Sequence, residues 1–310
     1  MSRESFSWVM RSSAPQDAAY DYWNERAYFD EVVANYEGSI LLVHGLEDWN
    51  VDPAVAIPWT QELNDTGLKV KQFLGQWAHD HPDQGAEPFK RYDWAEILLR
   101  WFDSELKGMD VDTGPAVQVQ SNDGRWRDEL AWPPKDAHMQ AYSLGAGTMG
   151  IDTQPHAAHT PSLIEPAVWR MTVDEDLHIA GLPTVHITAT PTGPSGYAGA
   201  ILYDEAPDGS RERIGWTGMN FRYHAGGEEP QVVVPGTDIV LRMQLQPLDA
   251  YVPAGHTLVL EVGPALTPSD RIPAPHLYPY QLHTGEGYGP EVTLPLVQRD
   301  GSAFFEPPMP

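Results

Sequence analysis

Residues 38–51, which read GSILLVHGLEDWNV, carry the clearest signal of the fold in this chain. Four apolar residues, Ile40 to Val43, lie between Gly-Ser and His-Gly. An apolar run of this length between turn residues is typical of a strand that is buried on both faces, as in a parallel sheet. Glu47 and Asp48 follow directly, and α/β sheets place their functional groups at this end of a parallel strand.

A second strand and two helices are predicted beside the first strand. Residues 69–74 predict the strand, and residues 53–63 predict a helix with Asp52 as its N-cap and proline at its first position. A longer helix is predicted from Tyr92 to Leu106, because apolar side chains recur on one face at helical spacing. The members of that face are Trp94, Ile97, Leu98, Trp101, Phe102 and Leu106.

The composition changes near residue 110. Beyond it, Pro, Gly and Thr separate short segments in which apolar and polar residues alternate, as at residues 239–246 and 257–262. Such segments predict a β-sandwich or jelly roll. We therefore predict an α/β plus all-β protein, with part of an α/β domain at residues 1–110 and a β-sandwich domain at residues 111–310.

The composition also limits the classes of partner. With 44 acidic and 19 basic residues, the formal charge is −25, which argues against binding to nucleic acid or to anionic membranes. The absence of cysteine excludes a thiol nucleophile and cysteine-based zinc sites. Residues 1–16 contain no apolar core typical of a signal peptide, which favours a cytoplasmic location. Homo-oligomerisation remains open.

An acid followed by a histidine is the strongest chemical pattern. Asp48 follows the first predicted strand, and His79 follows the second within GQWAHDHP at residues 75–82. Loops after neighbouring strands can meet in space, and acid before histidine is the order found in α/β-hydrolases. There, the acid fixes the imidazole tautomer, and the histidine takes the proton of the nucleophile.

Several alternatives stand beside this interpretation. Glu47 is the alternative acid and His81 is the alternative base. Asp48 could instead cap the helix at Pro53, with the histidine satisfied by its neighbours. A zinc site is a further alternative, although three or four ligands would have to converge. Its candidate ligands are His79, Asp80, His81 and Asp83.

These motifs together resemble the Xaa-Pro dipeptidyl-peptidase family of serine peptidases, whose superfamily includes cocaine-esterase-like acyl hydrolases. The resemblance covers about residues 20–265. It implies part of an α/β-hydrolase sheet followed by a jelly-roll, galactose-binding-like β-sandwich. It also implies that Asp48 is the catalytic acid, that His79 is the base and that no cofactor or metal is needed. The motifs are YWNERAY at 22–28, HGLEDWNV at 44–51, GQWAH at 75–79, WFDSELKGMD at 101–110 and YVPAGHTL at 251–258.

The chain departs from the family at the nucleophile. The family's serine lies before the acid, on a G-x-S-x-G turn, and no such motif occurs in this chain. Gly193 to Gly196 is the nearest match, but its second glycine comes one residue too early. We therefore expect the chain to correspond to the C-terminal portion of such an enzyme and to be inactive alone. The full enzyme would release N-terminal dipeptides from peptides with a penultimate proline.

Two other functions remain open from the sequence. An esterase or acylase of the same superfamily would use the same reacting groups, and only the shape of its pocket would differ. Alternatively, the β-sandwich could be a non-catalytic binding or oligomerisation module that carries a remnant of a hydrolase. Fold alone does not decide between them.

Overall fold

The computed structural model describes residues 25–145, 149–150, 166–224, 230–264, 278–283, 288–307 and 309. This part of the chain is mostly β-sheet with few helices. None of the helices within it is long and apolar enough to cross a bilayer. The α-helices are α1 (Phe29–Asn35), α2 (Pro53–Asp65) and α3 (Trp94–Lys107).

A mixed sheet contains the two strands that the apolar runs predicted. Its first three strands are parallel, and the last two are antiparallel to their neighbours. The sheet therefore resembles part of an α/β sheet with an antiparallel extension. In spatial order its strands are β1 (Ser39–Gly45), β2 (Lys69–Gly75), β3 (Val117–Gln120), β4 (Trp126–Glu129) and β17 (Phe304–Phe305).

Strand β1 is less buried than the sequence predicted. Its apolar residues Ile40 to Val43 are half-buried, whereas Phe73 and Leu74 of β2 are fully buried. The reason is its position, because among the described residues β1 pairs only with β2 and forms the end of the sheet. A pattern of apolar residues identifies a strand, but it does not reveal whether neighbours cover both of its sides.

The helices differ from the predictions in two details. Helix α2 begins after Asp52 as predicted, but the Asp52 side chain does not make the capping hydrogen bond. Helix α3 begins at Trp94 rather than Tyr92, and Gly108 ends it with a positive φ of 64°. Of the predicted apolar face of α3, only Ile97 and Trp101 are buried, while Phe102 and Leu106 are exposed.

Two antiparallel sheets make up the region that we call the sandwich. The smaller sheet has the order β11–β10–β14–β7. In the larger sheet, the path β12–β9–β16–β5–β6 is joined by β15 beside β9 and by the β8–β13 pair beside β16. The strands are β5 (His138–Leu144), β6 (Met149–Gly150), β7 (Ala167–Thr172), β8 (Leu177–Gly181), β9 (Thr184–Pro191), β10 (Tyr197–Glu205), β11 (Arg211–Asn220), β12 (Ile239–Gln244), β13 (Leu248–Val252), β14 (Thr257–Gly263), β15 (Tyr280–His283) and β16 (Glu291–Leu296).

The inner faces of these sheets share one apolar core. Leu202 and Leu260 come from the smaller sheet, and Leu241, Met243 and Val292 come from the larger one; all five are fully buried. Burial of this kind contributes about 1.5–3 kcal/mol for each large aliphatic side chain. The jelly-roll and galactose-binding-like descriptions remain predictions. So does the domain boundary near residue 110, although β3, which the sequence grouped with the all-β part, lies in the mixed sheet.

A buried polar group that we call the joining cluster connects the mixed sheet to the sandwich. Arg127 of β4 and Asp249 of β13 form a fully buried ion pair. His178 of β8 approaches the same carboxylate at 2.9 Å, and Ser121 and Trp132 donate hydrogen bonds to it at 2.7 and 3.0 Å. Burial opposes ionisation of Asp249, but Arg127 and His178 outweigh it and hold the pKa of the carboxyl far below its usual range.

Candidate active site

Two glycines shape the chain where β1 and β2 end. Gly45 and Gly75 are paired in register, and Trp77 packs over both. A Cβ on Gly45 would lie 2.0 Å from the carbonyl oxygen of Trp77, and a Cβ on Gly75 would lie 1.8 Å from its ring. A side chain at Gly45 would therefore force the backbone apart, and one at Gly75 would displace the ring of Trp77. The absence of a Cβ lets the loops that follow the two strands approach each other closely.

The loop after β1, residues 46–52, holds Asp48 firmly; we call it the acid loop. Asp48 is only 5% exposed. Its Oδ1 accepts hydrogen bonds from the backbone N–H groups of Asn50 at 2.8 Å and Val51 at 2.9 Å. These bonds fix the orientation of the carboxylate and leave Oδ2 facing away from its own loop.

His79, on the loop after β2, meets that second oxygen. Its Nδ1 lies 3.0 Å from Asp48 Oδ2, which is hydrogen-bond distance. The histidine side chain is 55% exposed, whereas the Asp48 side chain is 8% exposed. With Nδ1–H donating to the carboxylate, Nε2 is the nitrogen that can accept and return a proton. The two residues that the sequence selected are thus in direct contact.

The alternative residues occupy other positions. The Glu47 carboxylate accepts a hydrogen bond from Arg213 Nη2 at 2.6 Å. Burial raises the pKa of Glu47, and Arg213 acts in the opposite direction. His81 is exposed, and His79 is the histidine of this loop that contacts Asp48. Among the described residues, no three histidine or acidic side chains converge as metal ligands.

His44 is a further member of the site that sequence reasoning did not select. Its Nε2–H donates to the carbonyl oxygen of Val51 at 2.9 Å, and the same nitrogen lies 4.0 Å from Asp48 Oδ2. Burial lowers the pKa of His44, which favours the neutral ring, although the Val51 carbonyl and Asp48 act in the opposite direction. Its place near the end of β1, within the motif that carries Asp48, was the available signal.

A cavity of about 730 Å³ opens beside these residues. It lies between β1, α3 and the loop that carries His79. One side is polar and includes the Asp48–His79 pair, whereas the other is apolar and aromatic. The cavity therefore places an apolar wall beside the Asp48–His79 pair. The apolar side consists of Leu41, Val43, Trp94, Leu98, Trp101 and Phe102.

The family is decided by comparison with known protein families. A family model described as the X-Pro dipeptidyl-peptidase C-terminal non-catalytic domain matches residues 109–268, more than half of the chain. The chain belongs to the Xaa-Pro dipeptidyl-peptidase family. A second family model, described as the prolyl oligopeptidase family, matches residues 2–109 of this chain. The resemblance inferred from the motifs is therefore confirmed.

Curated relatives agree with this assignment. A protein of Streptomyces avermitilis named "Putative Xaa-Pro dipeptidyl-peptidase" is 26% identical over 83% of this chain and 47% of its own length. A protein of Bacillus anthracis with the same name is 26% identical over 90% of this chain and 48% of its own length. The chain spans about half the length of the curated relatives it matches.

Solved structures show the same fold at low sequence identity. An aminopeptidase from a marine sediment Thaumarchaeota archaeon aligns with a TM-score of 0.74 and 16% identity, over 89% of this chain and 58% of that one. An alpha-amino acid ester hydrolase aligns with a TM-score of 0.73 and 15% identity, over 93% and 60%. A CocE/NonD family hydrolase of Staphylococcus aureus aligns with a TM-score of 0.72 and 13% identity, over 90% and 57%.

Proposed function

We propose that Asp48 and His79 are the acid and the base of a serine-hydrolase site that cleaves N-terminal dipeptides ending in proline. The observation that carries this proposal is the 3.0 Å contact between His79 Nδ1 and Asp48 Oδ2 at the ends of neighbouring parallel strands. No G-x-S-x-G motif occurs among these 310 residues, so this proposal requires a nucleophilic serine from outside them.

The chemistry follows from the orientation of the imidazole. Nδ1–H donates to Asp48, so Nε2 takes the proton of the serine hydroxyl as its oxygen attacks the scissile carbonyl carbon. The bond to the leaving amine then breaks, and the imidazolium gives that proton to the amine. Water then attacks the acyl-enzyme. His79 takes a proton from this water and gives it to the serine oxygen as the acyl group is released. The buried Asp48 carboxylate stabilises the imidazolium at each step.

The substrate class is supported by the relatives and by the cavity. The curated relatives are named as Xaa-Pro dipeptidyl-peptidases, and the apolar side of the cavity suits a proline ring. An ester or acyl substrate would use the same acid and base, and a solved structure of the same fold is an alpha-amino acid ester hydrolase. A peptide amide and an ester therefore have to be compared directly.

We further propose that the chain is inactive alone. It contains no G-x-S-x-G motif, so neither the nucleophile nor the backbone amide that follows it is available. Loss of the serine from a catalytic triad lowers the turnover rate by about 10⁶-fold. A sensitive fluorogenic Xaa-Pro amide assay on the purified chain is expected to show no turnover above background. Turnover that His79→Ala abolishes would contradict this expectation.

The acid–base assignment is tested in a chimaera. In it, this chain replaces the matching part of the Streptomyces avermitilis relative, which retains its remaining sequence. We expect turnover of an Xaa-Pro amide, with a loss of about 10⁴-fold or more in Asp48→Asn and in His79→Ala. His81→Ala serves as the matched control and is expected to retain activity. Turnover that does not depend on His79 would refute the assignment, and a benzoyl ester assayed in parallel separates peptidase from esterase.

A further inference from the structure

We propose that the sandwich positions the acid loop, and that Arg213 and Gln246 are the positioning residues through which it acts. This inference rests on the proposed function of Asp48. Both positioning residues lie within residues 109–268, the part of the chain that matches the family model described as non-catalytic. Their side chains nevertheless reach across to the segment that carries the acid, one at each end of that segment.

The first contact holds the start of the acid loop. Arg213 of β11 donates from Nη2 to the Glu47 carboxylate at 2.6 Å, and Glu47 is the residue directly before Asp48. The guanidinium also lies over the ring of Trp216, with 4.7 Å between the guanidinium carbon and the ring centroid. Trp216 is buried in the same strand, so the sandwich fixes the direction of the arginine.

The second contact holds the far end of the segment. Gln246, which follows β12 and is fully buried, accepts a hydrogen bond through Oε1 from the backbone N–H of Ala54 at 3.0 Å. Ala54 lies in the first turn of α2, where the Asp52 side chain leaves the capping bond unmade. The backbone N–H of Gln246 donates to the Trp216 carbonyl at 2.8 Å, so the glutamine is also anchored in the sandwich.

The geometry between these two points explains why they affect the acid. Leu46 N–H bonds to the Gly75 carbonyl at 2.8 Å, which ties the loop to β2 before Asp48. After Asp48, the chain turns through Asn50 and Val51 into α2, whose first turn is held by Gln246. A shift of α2 or of Glu47 moves the backbone that orients Asp48 Oδ1, and Oδ2 then moves relative to His79. Displacements of about 1 Å are enough to cost 100-fold in catalysis.

The test measures the Asp48–His79 contact itself, without catalysis. In the full chain labelled with ¹⁵N-histidine, the His79 Hδ1 proton is observed by NMR at low temperature, and Asp48→Ala assigns the signal by removing it. We expect Arg213→Ala and Gln246→Met each to raise the solvent exchange rate of this proton about tenfold. Arg213→Lys retains a charged donor and is expected to restore most of the protection.

Arg211→Ala is the matched control, because Arg211 lies on the same strand as Arg213. Its ion pairs are with Glu205 and Glu261, away from the acid loop. Its His79 signal is expected to remain as in the unaltered chain. An equal loss of protection in Arg211→Ala would show general destabilisation and overturn the proposal. Unchanged exchange in Arg213→Ala and Gln246→Met would overturn it as well. Failure of the chimaera assay alone would instead remove the catalytic role of Asp48 and leave the positioning in place.

Discussion

The two oxygens of Asp48 have separate tasks. Oδ1 is used by the backbone of its own loop, and Oδ2 is directed at His79. A carboxylate bound in this way has little freedom to rotate. The imidazole partner therefore meets an oxygen whose position is already set by the acid loop.

Removal of this carboxylate should destabilise the protein. Asp48→Ala removes the charged acceptor of two part-buried backbone N–H groups, so we expect the free energy of unfolding to fall by about 1–3 kcal/mol. Denaturant titration measures the change. Asp80→Ala, on the exposed loop beside His79, is the control and should stay within about 0.5 kcal/mol of the unaltered protein. Equal effects of the two substitutions would contradict this account.

Replacement of the glycine at the end of β1 is predicted to destabilise the protein. Gly45→Ala places a methyl group against the Trp77 backbone, so we expect a loss of about 1–3 kcal/mol or more in the free energy of unfolding. Gly301→Ala is the comparison, because a Cβ at Gly301 meets no atom within 4 Å. Thermal unfolding of both variants would reveal the difference. A Gly45→Ala protein as stable as Gly301→Ala would disprove the close approach.

Sequence reasoning found some residues of this site and missed others for a physical reason. Asp48 and His79 were predictable from the sequence because each directly follows an apolar strand, and the ends of neighbouring parallel strands meet. Arg213 and Gln246 were not, since they lie 166 and 192 residues from their partners in the acid loop and in α2. No local pattern marks a side chain whose contact depends on how two sheets pack.

At the scale of elements, periodicity located α3 but not the extent of its burial. The apolar face was predicted from spacing alone, and the structure buries only Trp101 and Ile97, the latter in a cluster with Phe73, Trp77 and Trp126. Leu106 lies in the last turn of the helix and is 76% exposed. The same holds for β1, whose apolar residues identify a strand without revealing that it ends the described sheet.

Replacing side chains on the apolar face of helix α3 with alanine should therefore lower the free energy of unfolding by different amounts at different positions. Trp101→Ala removes a buried ring and is expected to cost about 3–5 kcal/mol in the free energy of unfolding. Leu106→Ala removes an exposed side chain from the same helix and is expected to change it by less than about 0.5 kcal/mol. Urea titrations monitored by circular dichroism compare the two. A large effect of Leu106→Ala would show that this face is covered in solution.

For the whole molecule, the joining cluster is expected to make the free energy of unfolding depend on pH in the acid range. The folded-state pKa of Asp249 lies far below its unfolded value, which is about 3.9. A carboxyl group of this kind contributes stability above its unfolded pKa and loses that contribution as the pH falls towards its folded pKa. The mixed sheet and the sandwich should therefore begin to lose their shared stabilisation below about pH 4.

Asp249→Asn tests this dependence. Because it removes one of the two carboxylates that pair with the buried guanidinium of Arg127, the other being that of Glu129, we expect a loss of about 3 kcal/mol at pH 7. The slope of stability between about pH 4 and pH 2 should also become shallower than in the unaltered protein. Asp136→Asn, which removes the same charge from the exposed partner of Arg299, should cost no more than about 1 kcal/mol. An unchanged acid slope in Asp249→Asn would exclude Asp249 as its source.

The order of strands in the mixed sheet has a consequence for biosynthesis. The strand at the end opposite β1 is β17, formed by Phe304 and Phe305, which the ribosome makes only after β5 to β16 of the sandwich. During synthesis, the edge of β4 that pairs with β17 has no β17 partner until β5 to β16 have been made. The last strand pairing of the sheet that bears Asp48 and His79 can therefore form only after the sandwich strands have been made. A single proteolytic cut near residue 110 could not release this sheet intact from the sandwich.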